Sequence, residues 1–118
     1  MCGIAGVYNS NRCEEELRQV GKKFIQLLHH RGPDGNGIQL FSDHQKSSTC
    51  LTHNRLSIID LSSDANQPMS KYNSRLWISF NGEIYNFREL RDELYSKGER
   101  FITNSDTEVI LASYKLWG

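Results

Sequence analysis

Apolar positions recur along the 118-residue chain with two different periods. Gly3 to Tyr8 is a short apolar run punctuated by glycines, which predicts a buried strand starting almost at the amino terminus. From Glu14 to His30 the apolar residues fall at Leu17, Val20, Phe24, Leu27 and Leu28, the stripe of an amphipathic helix. Asn11 and Glu14 have capping-box spacing near its start, and Glu14 to Glu16 read as a solvated face. Three glycines, a proline and an asparagine between Arg31 and Gly37 predict a loop. Ile38 to Phe41 then reads as a strand, Ser42 to Thr49 as a hairpin turn, and Cys50 to Asp60 as a second strand.

Leu61 to Tyr72 reads as a polar connection. Beyond it, Leu76, Ile78 and Phe80 alternate with Trp77 and Ser79, the pattern of a strand covered on one or both faces. Asn86 and Glu89 are placed to cap a helix carrying Phe87, Leu90 and Leu94 that ends at Lys97-Gly98. Ser105 and Glu108 form a second capping box ahead of Val109, Ile110, Leu116 and Trp117. Strands clustered between helices give an α+β class, not a βαβ repeat.

Composition narrows the functions open to such a domain. Fourteen basic and fourteen acidic side chains leave no net field for nucleic acid or an anionic membrane. No apolar run reaches membrane-spanning length and no signal-peptide pattern opens the chain, so a cytoplasmic location is expected. Cys2, Cys13 and Cys50 are odd in number and lack C-x-x-C spacing, which leaves free thiols as the default. His29, His30, His44 and His53 match no usual zinc spacing, so they read as packed or solvated and no metal is expected. Gly32 to Gly37 lacks the signature of a phosphate loop.

Chemistry gathers at the amino terminus and where strands end. If Met1 is removed, Cys2 carries a thiol nucleophile and a free α-amine on one residue. Arg55, inside an apolar stretch, calls for an anion: a substrate carboxylate would serve, and so would a structural partner such as Asp60. Asn81-Gly82 joins an amide donor to an unobstructed backbone N–H, which suits an oxyanion hole and equally suits a hairpin turn. Asp106 in the first turn of the last helix is favoured by the helix dipole on any reading.

Six blocks occur in one order: Met1-Cys2-Gly3-Ile4-Ala5-Gly6, His30-Arg31-Gly32-Pro33-Asp34, Arg55 to Ser62, Gln67-Pro68-Met69, Asn81-Gly82-Glu83-Ile84-Tyr85-Asn86 and Ser105 to Ile110. Together the chain resembles the glutaminase domain of glutamine-hydrolysing asparagine synthetases, class II amidotransferases with an N-terminal-nucleophile (Ntn) hydrolase fold. That resemblance implies an αββα sandwich with mainly antiparallel sheets, here partial. It implies that Cys2 attacks the carboxamide of L-glutamine with its own α-amine as base, and that Asn81 and the Gly82 N–H hold the oxyanion. Arg55 would grip the substrate α-carboxylate, and Glu83 with Asp106 the α-ammonium. Arg31, Gly32, Pro33 and Asp34 would form a wall beside the nucleophile and a candidate gate. Residues 1–118 would then be an amidotransferase domain lacking its C-terminal strands and the synthetase domain, in which alone ATP and magnesium are expected. The implied partners are glutamine, a synthetase domain in cis or trans, and a second copy over exposed apolar surface. A sugar or polysaccharide amidotransferase and a non-catalytic glutamine-binding fragment stay open as alternatives.

Overall fold

The computed structural model describes residues 1–42, 47–58 and 60–118. Strand β1 (Gly3–Ser10) is followed by helix α1 (Glu14–Leu28) and a 3-10 turn at His29–Arg31. Strands β2 (Gly35–Ser42) and β3 (Ser48–Arg55) follow, and β3 lies between β1 and β2, antiparallel to both. Two short strands, β4 (Met69–Lys71) and β5 (Leu76–Ile78), make a second antiparallel sheet. Helices α2 (Phe87–Ser96) and α3 (Asp106–Trp117) complete the α+β fold.

Alternation along β3 separates the layers. Even-numbered positions turn to α1: the Asn54 amide donates to the Ile25 carbonyl at 3.0 Å, and Cys50 is fully buried against the helix. Gly21 makes that approach possible, because a Cβ there would lie 3.1 Å from the Cys50 sulfur and 3.2 Å from Ile38. The glycine that weakens α1 as an isolated helix therefore lets it lie close on the sheet. Odd positions turn the other way: His53 reaches the Phe80 carbonyl and Arg55 the loop that follows β3. On that side Phe41 and Trp77 of the two sheets meet edge to face at 5.6 Å. Helix α3 is apolar on two sides, with Val109 and Ala112 against Leu94 of α2, and Leu111 against Ala65 and Met69.

Several boundaries depart from the sequence reading for identifiable reasons. Helix α1 is capped two residues later than expected: the Glu16 carboxylate accepts from the Cys13 N–H at 3.0 Å, while Glu14 pairs with Arg18. Gly35, Asn36 and Gly37 belong to β2, not to a loop, pairing with Arg55, Asn54 and His53. Strand β3 stops at Arg55 because side chains take over beyond it: the Cys2 sulfur accepts from the Leu56 N–H and Asp34 from the Ser57 N–H. Likewise β5 stops at Ile78, after which the Gln67 amide oxygen holds the Phe80 N–H. The polar connection contains β4, which composition alone concealed. The expected hairpin turn falls partly on residues 43–46, outside the described residues, as do His44 and Ile59. Asn86 stands at the N-cap of α2 without a side-chain cap bond.

At α3 the Ser105 hydroxyl caps Thr107 N–H, but Glu108 does not complete the box. Its carboxylate instead accepts from the Thr103 N–H and hydroxyl, the Ile102 N–H and Lys71 at 2.7 Å. Burial acts to raise the Glu108 pKa, yet these bonds outweigh it and hold the carboxyl below its ordinary value near 4.5. Since the unfolded chain then takes up the proton first, Glu108 stabilises the fold fully above that ordinary value and less as pH falls through the lowered one. Thermal unfolding from pH 7 to pH 3 should show a midpoint that falls more steeply below about 4.5 in the native chain than in Glu108→Gln. Parallel slopes would contradict this assignment. At neutral pH, Glu108→Ala should lose about 3–5 kcal/mol by leaving the half-buried Lys71 with only the Arg100 carbonyl, and the Ile102 and Thr103 N–H groups without their acceptor.

Candidate active site

The register that pairs Gly3 with Asn54 brings Cys2 beside the residues that follow β3. The Cys2 sulfur accepts from the Leu56 N–H at 3.3 Å and its S–H reaches the Leu56 carbonyl at 3.6 Å. Its backbone carbonyl accepts from the Arg31 Nε–H at 3.1 Å. Asp34 completes the clasp, with its N–H donating to the Arg55 carbonyl at 2.9 Å and its carboxylate accepting from Ser57. The chain can cross the end of β3 here because residue 32 is glycine: a Cβ would lie 2.4 Å from the Asn54 carbonyl oxygen. Arg31 thus holds the Cys2 backbone and Asp34 the chain on either side of Leu56, the residue the thiol bonds, and none of residues 31 to 34 lines the cleft.

That cleft has a volume of about 330 Å³. Cys2, Arg55, Asn81, Gly82, Glu83 and Asp106 all line it, with Met1, His53, Gln67, Tyr85 and Thr107 among their neighbours. Arg55 is only 8% exposed, and its guanidinium is tied to the loop that follows β3. Nη1 donates to the Ser62 carbonyl at 2.6 Å and the Asn66 amide oxygen at 2.8 Å, and Nη2 to the Asp60 carbonyl. Of five N–H groups, these leave Nε–H and one Nη2–H without an acceptor among the described residues, a pair suited to a carboxylate. Asp60 is engaged elsewhere: hydrogen bonding from the Ser62 side chain is the main cause that lowers its pKa, followed by the Ser62 and Asn104 N–H groups that its carboxylate accepts from, with a smaller contribution from Arg55.

Asn81 and Gly82 form the opposite corner. A Cβ at residue 82 would sit 2.6 Å from Phe80 Cζ, so glycine allows the backbone to fold over that ring. Beyond the corner, the Ile84 N–H donates to the buried Asp106 carboxylate at 3.0 Å, tying the segment to the first turn of α3. Glu83 stands exposed at the rim.

Two cleft residues received no role from sequence reasoning. His53 was read only as packed or solvated, although alternation from Arg55 places it on the same face of β3. It is 1% exposed, and its Nε2–H donates to the Phe80 carbonyl at 3.1 Å, which leaves Nδ1 without a partner among the described residues. Gln67 is 8% exposed; its oxygen accepts from the Phe80 N–H at 2.6 Å and its amide donates to the Thr107 hydroxyl at 3.1 Å. Among the described residues, no three His, Cys, Asp or Glu side chains are grouped to hold a metal. No helix there is long and apolar enough to cross a membrane.

Cys2 at the head of β1, the Asn81-Gly82 pair, the Arg55 guanidinium and the carboxylates of Glu83 and Asp106 thus line one cleft. The whole chain, residues 1–118, matches the glutamine amidotransferase domain family, and the chain belongs to that family. It is 44% identical over 117 residues to a glutamine-hydrolysing asparagine synthetase of Bacillus subtilis (strain 168), covering 98% of this chain and 18% of that protein. With asparagine synthetase B of Escherichia coli (strain K12) it shares 40% identity over 115 residues, covering 98% and 20%. The corresponding figures for an asparagine synthetase of Arabidopsis thaliana are 36% over 118 residues, covering 100% and 19%. The chain therefore spans about a fifth of the length of the curated relatives it matches.

Burial is the main influence on His53 and lowers its pKa; the bond to Phe80 opposes this, and the charge of Arg55 lowers it further. The ring is accordingly neutral at neutral pH. An NMR titration should place the His53 midpoint below the ordinary 6.5, whereas a midpoint above it would contradict burial as the dominant influence on the ring.

Proposed function

We propose that this chain, once Met1 is removed, hydrolyses L-glutamine to glutamate and ammonia through a thioester on Cys2. The observation that carries this reading is the convergence of Cys2, Arg55, Asn81, Gly82, Glu83 and Asp106, from separate segments, on one cleft. While Met1 is attached, the nitrogen of Cys2 is an amide and cannot act as a base. Its release frees an α-amine beside the thiol, which can serve as the base for it.

The amine takes the thiol proton and the sulfur attacks the side-chain carbonyl carbon of glutamine. The carbonyl electrons move onto oxygen, which the Asn81 amide and the Gly82 N–H stabilise. Collapse of this tetrahedral species breaks the C–N bond, and the proton held by the amine passes to the departing nitrogen, releasing ammonia. Water, deprotonated by the same amine, then attacks the thioester and returns Cys2 and glutamate. The free donors of Arg55 bind the α-carboxylate, while Asp106 and the rim carboxylate of Glu83 bind the α-ammonium, which selects an amino acid over a simple amide. Arg31 to Asp34 hold the nucleophile in place.

In the named relatives, glutamine hydrolysis accompanies asparagine synthesis. By that likeness the ammonia made here serves amide synthesis on aspartate in a synthetase domain in cis or trans, where ATP and magnesium would act, in the cytoplasm. Residues 1–118 are then part of a larger amidotransferase unit.

Glutamate release from glutamine, measured on protein whose amino terminus is confirmed as Cys2, should disappear in Cys2→Ala. In Asn81→Ala, kcat should fall by about 10² to 10³. Turnover that persists in Cys2→Ala would end this reading.

A further inference from the structure

We propose that Gln67 and His53 are positioning residues that set the oxyanion corner of the cleft; the proposal rests on the glutaminase reading. The corner comes from a stretch without a strand ladder: β5 pairing ends at Ile78, and Phe80 immediately precedes Asn81. Its backbone is held by side chains instead. Gln67 takes the Phe80 N–H, and His53 donates to the Phe80 carbonyl, which belongs to the same peptide group as the Asn81 N–H. Both side chains are more than nine-tenths buried, so water competes little for these bonds.

The second end of Gln67 makes it more than a strut. Its amide donates to Thr107, the neighbour of Asp106. One end of this side chain must accept and the other donate, a combination that a carboxamide supplies and an ionised carboxylate or an ammonium does not. Gln67 therefore spans the gap between the donors for the oxyanion and the carboxylate for the substrate ammonium. A spacer at that place fixes where the developing charge lies relative to the bound amino acid. A shift of about 1 Å at such a corner costs on the order of 10²-fold in rate, because the donors stabilise charge only where it appears.

Kinetics can separate positioning from general damage. Gln67→Met preserves volume and removes both bonds; His53→Leu removes the bond to Phe80, and His53→Gln restores an N–H donor. Rates are counted per site alkylated on Cys2 by a glutamine-derived diazoketone, so that misfolded protein does not enter. Glutamate affinity, measured by calorimetry, reports the binding of the carboxylate and ammonium without the oxyanion. In Gln67→Met and His53→Leu, kcat per labelled site should fall about 10- to 100-fold, with KM and glutamate affinity within about twofold of the native values. His53→Gln should recover most of the rate, and the His53 pair decides the matter if Gln67→Met does not fold. An unchanged kcat, or glutamate affinity falling in step with kcat, would overturn the assignment. Native protein that is neither alkylated at Cys2 nor active on glutamine overturns the glutaminase reading itself.

Discussion

The site depends on the termination of β3. Up to Arg55 this strand is bonded on both edges, and that register fixes His53 and Arg55 on the cleft side while Cys50 and Asn54 face α1. Past Arg55 the backbone partners become side chains, Cys2 for Leu56 and Asp34 for Ser57. A sheet edge that would otherwise continue is thus converted into a socket whose partner is the Cys2 sulfur. The antiparallel pairing of β1 makes this possible, because it delivers the chain's second residue to the place where β3 gives out.

Charge is distributed to suit the same arrangement. Arg55 is buried, and its cost is offset by three acceptors from the loop spanning Asp60 to Asn66, which leave one edge of the guanidinium for a ligand. Asp106 accepts a backbone N–H from the segment that bears Asn81 and Gly82, and it sits in the first turn of α3, where the helix dipole favours an anion. The cation and the carboxylates are held apart by separate scaffolds and do not neutralise each other by direct pairing. The Lys71–Glu108 pair belongs to the other side of α3 and ties the helix to β4 and the loop before it.

Much of the chain's organisation was legible from pattern alone. The 3.6-residue stripe of α1 and the stop at Gly98 (φ 97°) each rest on local physics that a single sequence displays; the strand expected at Gly3 to Tyr8 forms as β1, but only Gly3 of it is buried, since Ile4 and Tyr8 point outward. Boundaries were lost where tertiary bonds override local signals. Gly35 to Gly37 look like a loop, yet they pair with β3; Asn11 and Glu14 have cap spacing, yet Glu16 reaches Cys13 first. The six ordered blocks pointed to the cleft-lining residues, but they gave Gln67 and His53 no role. Their importance comes from bonds 13 and 27 residues away along the chain, which no local pattern encodes. The Arg31 to Asp34 segment was legible as a neighbour of the nucleophile, while its action as a clasp on Cys2 and β3 required the fold.

The account stands on sulfur chemistry at an amino-terminal cysteine, and the most direct test is to trap the acyl group. Protein with and without Met1 would be mixed with glutamine, quenched in acid within the first turnovers, digested and weighed by mass spectrometry. The account predicts one glutamyl group on the peptide bearing Cys2, only in chains that have lost Met1. A glutamyl group on Cys13 or Cys50, equal labelling of chains that keep Met1, or turnover with no acylated peptide would contradict it.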